Sequence, residues 1–104
     1  PPTLPTSPIV ATSTPESITQ RIKYYADLYN VSEITMNIVV KCESNFNPLA
    51  VGDNGNSHGL VQINAPSHPN ITHAQMRDVD FSLDFLAKHL KMGHKSMWSC
   101  LRNN

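Results

Sequence analysis

The sequence predicts a mainly α-helical domain with a short irregular β-hairpin or loop after its second helix. Three observations carry that expectation. Ile18, Ile22, Tyr25, Ala26 and Tyr29 fall on one helical face, and Leu83, Leu86 and Leu90 repeat with the same period. Residues 34–40 form a run that is apolar on nearly every side, which predicts a buried helix. Turn-forming residues then concentrate in 46–58, with Pro48, Gly52, Asp53-Asn54-Gly55 and Asn56-Ser57.

Taken in order, residues 1–13 are rich in Pro, Thr and Ser and read as a flexible linker or tether ahead of a domain spanning 14–104. Thr14 can cap the first helix, Pro15 suits its first turn, and Glu16 complements its dipole. Gln20, Arg21, Lys23 and Asp27 fall largely on the face opposite the apolar one. Asn30-Val31-Ser32 ends this helix, and Ser32 caps the next, which runs to Ser44 or Asn45. The Asp53-Asn54-Gly55 turn can close a hairpin. Residues 59–64 predict a helical turn or an extended piece, and 66–70 a loop. A short helix follows over 71–79, Asp80 caps a longer one over 81–92, and Gly93 stops it. Residues 95–101 make a last turn or short helix, and 103–104 should fray.

Composition narrows the function classes. At 104 residues the chain is one domain at most. Eight Lys and Arg balance eight Asp and Glu, so binding to nucleic acid through a general basic field is not expected. No apolar run approaches the roughly 18 residues of a membrane span. The chain starts at Pro, and the expectation is an excised mature segment from which a targeting element was removed. His58, His68, His73, His89 and His94 match no metal-binding spacing, and no His-Glu-x-x-His occurs, so neither metal nor cofactor is expected. Cys42 and Cys100 form no Cys-x-x-Cys pair. Cys42 reads either as a nucleophile or ligand beside Glu43, or as half of a disulfide.

Glu43 is the candidate for chemistry. It sits in the last turn of the apolar second helix, where desolvation and the negative helix end both disfavour its charged form. A raised carboxyl pKa is what a general acid working near neutral pH requires. A glutamate at a helix end is more often just solvated. Its flanks give it the other reading. Glu43-Ser44-x-Phe46-Asn47-Pro48-x-Ala50-Val51, followed by Ser57-x-Gly59-Leu60-x-Gln62-Ile63, resembles the lysozyme-like domain of lytic transglycosylases, a family that includes goose-type lysozymes. The resemblance covers residues 32–98 and is strongest over 41–63.

That resemblance implies a small lysozyme-like fold and a peptidoglycan substrate, with Glu43 as catalytic acid and base and no cofactor. It implies that Ser57 and Gln62 line the cleft, with Gly59 allowing close backbone approach for substrate or packing. Asn64, His58 at the cleft rim, and Trp98 are further substrate-binding candidates. Trp98 reads equally as a sugar-stacking face or as core. Ser44, Asn45 and Asn47 read as braces of the helix end. The family's Ala-Tyr-Asn block is missing; residues 93–100 stand in its place, which puts the product type in question. Asp53 is the one acid in the loop after Glu43 and the candidate second carboxylate, although Asp-Asn-Gly is also turn chemistry. Three readings follow: a single-glutamate transglycosylase, a hydrolysing muramidase, or a glycan-binding domain. For a small envelope domain, a Cys42–Cys100 disulfide is the favoured state of the cysteines. The expected setting is extracytoplasmic, tethered or secreted, as a monomer on glycan strands, recruited to a larger envelope assembly.

Overall fold

The computed structural model describes residues 14–102, so the linker expected over 1–13 and the fraying at 103–104 lie outside the described residues. Five α-helices and a small antiparallel sheet follow one another: α1 (Pro15–Tyr29), α2 (Glu33–Ser44), β1 (Val51–Gly52), β2 (Ser57–His58), β3 (Ile63–Asn64), α3 (His73–Arg77), α4 (Val79–Lys91) and α5 (Ser99–Arg102). Single 3-10 turns at Asp53–Gly55 and Lys95–Met97 join β1 to β2 and lead into α5.

Local chemistry explains the helix ends. The Thr14 side chain accepts from Ser17 N, and Ser32 accepts from Thr35 N. Asn30 and Asn45 end α1 and α2 in the left-handed conformation that asparagine tolerates best after glycine. Gly93, with φ +84°, follows α4. The segment expected as one helix over 71–79 divides instead. Thr72 and Gln75 form a reciprocal capping box on α3, and Asp78 rather than Asp80 caps α4, accepting from Phe81 N at 2.9 Å. The expected two-stranded hairpin is a three-stranded sheet in the order β1-β2-β3, because residues 59–62 make a tight turn that returns the chain as β3.

The core is built where α1 packs against both α4 and α2. Ile18 and Ile22 of α1, Met36, Val39 and Val40 of α2, and Leu83 and Leu86 of α4 are fully buried. The second helix is not buried all round, however. Ile34 is 74% exposed and Ile38 45%, so α2 covers the core with one face only.

Arg21 is a further departure, since it lies inside rather than opposite the apolar face. Its guanidinium bridges both Asp80 oxygens at 3.2 Å, and Tyr25 donates to Asp80 Oδ1 at 3.0 Å. Freed from capping α4, Asp80 thus ties α4 to α1. Tyr29 donates to Asp84 at 2.6 Å one turn further on. Burial and then the Asp80 carboxylate push the Tyr25 hydroxyl up, while Tyr29 is pushed up to about 12, first by its bond to Asp84. Both therefore remain donors at every ordinary pH. Replacing Asp80 with Asn leaves the buried Arg21 facing a neutral partner. The expected loss is about 2 kcal/mol, below the usual cost of breaking a buried pair because the Asp80 side chain is 33% exposed. That corresponds to a melting temperature lower by about 10 °C, read by thermal denaturation at neutral pH.

Candidate active site

The three short strands decide which side chains meet. Gly52 pairs with Ser57, and Ser57 with Asn64, so these residues form one row across the sheet. Val51, His58 and Ile63 form the next row. Successive residues of a strand point to opposite faces, so the two rows face opposite ways. The first row lines a polar cavity of about 340 Å³, to which α2 contributes Glu43 and the turn after β1 contributes Asp53. Met97, Trp98 and Ser99 close it from the C-terminal side, and Gln62 completes it.

Glu43, Asp53, Ser57, Gln62, Asn64 and Trp98 are thus brought to one cavity. Glu43 is half-buried at the end of α2, and its Oε2 lies 3.5 Å from Cys100 Sγ. Cys42 and Cys100 are joined as a disulfide with their Cα atoms 6.4 Å apart, so that contact involves a sulfur without a proton. Ser57, nearly fully buried, donates to Asp53 Oδ2 at 2.6 Å. Asp53 and Asn54 both adopt positive φ, +51° and +57°, a conformation that costs energy in a residue with a side chain.

The cleft amide behaves differently from the paired donor and acceptor expected of it. Gln62 Nε2 donates to Ala50 O at 3.1 Å and to Gly59 O at 2.9 Å. Both amide hydrogens are therefore spent on the backbone, and only Oε1 remains for a ligand. That oxygen sits over Gly52, where a Cβ would lie 2.5 Å from it. Asn64 Oδ1 likewise accepts from Ser67 N and Oγ. Trp98 is 3% exposed, and its Nε1 donates to Val61 O at 2.9 Å, so it is chiefly a core residue with one edge at the cavity. Ser44 Oγ bonds back to Val40 O within α2, whereas Asn47 Oδ1 accepts from Leu49 N in the loop beyond the helix.

Two expected residues lie elsewhere. His58, in the second row, is buried with its ring stacked on His73 at 4.3 Å, and its ring nitrogens have no hydrogen-bond partner among the described residues. Strand alternation puts it on the face away from Ser57 rather than at the cleft rim. Gly59 meets backbone rather than open cleft, since a Cβ there would lie 1.9 Å from Met76 O. Its role is close packing of the sheet on α3. Conversely, Gly52, Met97 and Ser99 line the cavity without having been singled out. The signal for the last two was Cys100: a link to Cys42 brings its neighbours beside Glu43.

A second cavity of about 280 Å³ adjoins the first across Gln62, Asn64, Met97 and Trp98, and extends to His68 and Phe85. Behind it, His89 Nδ1 lies 3.0 Å from His94 Nδ1. Burial, then the His94 and His68 rings and Lys88, hold His89 below its usual 6.5. The unfolded chain therefore takes up that proton more readily than the folded one. Stability should be unaffected well above pH 6.5, fall as pH drops from there to the lowered folded pKa of His89, and level off below it. Melting temperatures between pH 7.5 and 5 test this, and His89→Gln should flatten the acid slope. Among the described residues, no group of three or more His, Cys, Asp or Glu side chains could hold a metal ion, and no helix is long and apolar enough to cross a membrane.

The family model of the transglycosylase SLT domain matches residues 20–102, from the first turns of α1 to the end of α5. The chain belongs to the transglycosylase SLT domain family. No curated protein and no solved structure matches it. This SLT domain is of the lytic transglycosylase type, whose substrate is peptidoglycan. Within it, the matched region contains the whole of the polar cavity, from Glu43 to Ser99.

Proposed function

We propose that this SLT domain cleaves the β-1,4 bond between N-acetylmuramic acid and N-acetylglucosamine, with Glu43 as the single acid and base. The observation that carries the reading is the pairing of roles in the cavity. Glu43 and Asp53 are the carboxylates lining it among the described residues, and Asp53 is bound to Ser57 at 2.6 Å. Protonated Glu43 would donate to the glycosidic oxygen as the bond to the muramoyl anomeric carbon breaks. The resulting carboxylate would then take the proton of the muramoyl 6-hydroxyl while that oxygen attacks the anomeric carbon. The proton returns to Glu43, and the products are a free 4-hydroxyl and a 1,6-anhydro end. No water enters the balance, so no second carboxylate is needed to orient one.

Hydrolysis by the same fold is the second reading, favoured by one feature. Asp53 lies in the same cavity on a backbone of positive φ, and strained residues cluster at functional sites. In that case Asp53 would hold the attacking water, and Ser57 would orient Asp53. Mass spectrometry of the soluble products from purified peptidoglycan sacculi separates the two. Anhydro-muramic ends support the transglycosylase, and reducing muramic ends support the muramidase. No product from a folded protein that still binds glycan strands would leave a binding domain. The same proposal puts the domain outside the cytoplasm, where peptidoglycan lies, as a monomer acting on glycan strands in a larger envelope assembly.

A further inference from the structure

We propose that the Cys42–Cys100 disulfide positions the Glu43 carboxylate, and that its reduction switches the site off while the helical core stays folded. The inference rests on Glu43 being the catalytic acid. Three observations converge on it. Cys42 immediately precedes Glu43 in the last turn of α2, so the bridge is anchored at the residue that sets the glutamate's backbone. Cys100 Sγ lies 3.5 Å from Glu43 Oε2 and, carrying no proton, covers that oxygen without hydrogen-bonding it. The three residues before Cys100, Met97, Trp98 and Ser99, form one wall of the cavity.

That wall is held at two points. Trp98 Nε1 bonds to Val61 O at its inner side, and the disulfide holds the outer side to α2. Bonded sulfurs stand about 2 Å apart, whereas two thiols must separate to van der Waals contact. Reduction therefore pushes Cys100 and Cys42 apart and shifts Ser99 relative to Glu43, while Trp98 stays anchored. Water then reaches the carboxylate oxygen that the sulfur had covered. The core does not depend on this link. Ile18, Ile22, Met36, Val39, Leu83 and Leu86 bury one another in α1, α2 and α4, and α5 adds Leu101 at its margin. The bridge is also reachable, because Cys42 is exposed. The reductant is a dithiol. Its thiolate attacks Cys42 Sγ, Cys100 leaves as a thiolate and takes a proton, and the second dithiol sulfur displaces Cys42. Two electrons and two protons pass to the protein, and the dithiol becomes a cyclic disulfide.

The test compares oxidised wild type, dithiothreitol-reduced wild type and Cys42→Ala/Cys100→Ala on peptidoglycan sacculi, each with circular dichroism and Trp98 fluorescence. Reduced protein and double variant should keep their helical signal and a cooperative melt. Their kcat should fall about tenfold to a hundredfold, since a shift of about 1 Å in a catalytic group has that effect, with KM within about twofold. The basic limb of kcat against pH should move to lower pH, because water at the carboxylate favours its charged form. Reoxidation of the reduced wild type should restore the rate. An unchanged kcat and pH profile overturns the inference. So does loss of the helical signal on reduction, which would make the bridge a support of the whole fold. Oxidised wild type that releases no muropeptide overturns the catalytic reading of Glu43, and this control with it; activity that is indifferent to reduction overturns the control alone.

Discussion

Glu43→Gln should abolish glycan cleavage and leave strand binding nearly intact. The amide has the same shape and keeps hydrogen-bonding capacity, so the cavity walls formed by Ser57, Asn64 and Gln62 stay as they are. It carries no transferable proton near neutral pH, and the proposed cycle asks Glu43 for one proton transfer in each direction. General acid–base catalysis contributes about 10²–10⁴-fold, and losing both halves should put the variant at the upper end of that range. Release of soluble muropeptides measures the rate, and cosedimentation with sacculi measures binding. Turnover within about tenfold of wild type would remove Glu43 from the role. Loss of binding together with turnover would show that the carboxylate mainly holds the sugar.

Gly59→Ala should be the most destabilising single substitution in the sheet and its connecting turns. Two independent costs add at this position. Its φ of +88° is one that side-chain-bearing residues adopt only with strain, about 1–3 kcal/mol. The new Cβ would also lie 1.9 Å from Met76 O, a backbone atom at the end of α3 that cannot rotate away. Overpacking of this kind typically costs about 1–3 kcal/mol more. A melting temperature lower by about 15 °C follows for a domain of this size. Gly55→Ala is the matched control, since φ there is +91° but no atom lies within 4 Å of the added Cβ. It should cost only the backbone share, the same about 1–3 kcal/mol, without the packing term. Equal melting temperatures for the two variants would show that the spacing of β2 from α3 adjusts freely, and would undo the packing argument. If Gly59→Ala folds poorly but Gly55→Ala is active, Gly59 acts by holding Ser57 in place rather than by making room for substrate.

The local grammar of the chain was legible wherever neighbouring residues decide the outcome. Thr14 and Ser32 cap helices, Asn30, Asn45 and Gly93 end them, and the apolar faces of α1 and α4 point inward, because propensity, capping and 3.6-residue spacing act within one or two turns. It failed where a distant partner outbid a local role. Asp80 was a plausible cap by position, yet Arg21 and Tyr25, 59 and 55 residues away, claim its carboxylate, and Asp78 caps in its place. Ile34 and Ile38 made α2 seem buried on every side, but which face of a helix is covered depends on what packs there.

The family signature, the helical frame and the grouping of Glu43, Asp53, Ser57, Gln62 and Asn64 as candidates follow from local patterns, since these residues lie within a stretch of about twenty joined by tight turns. How those side chains are used depends instead on the way the elements dock. Strand alternation sends Ser57 to the cavity and His58 under α3, a distinction of one residue that depends on register. Gln62 spends its donors on Ala50 and Gly59, and Gly59 yields its space to Met76. The wall of Met97, Trp98 and Ser99 reaches Glu43 across more than fifty residues of chain, through one disulfide and one indole hydrogen bond. Such contacts depend on how elements dock, and no local pattern encodes the docking of elements so far apart in the chain.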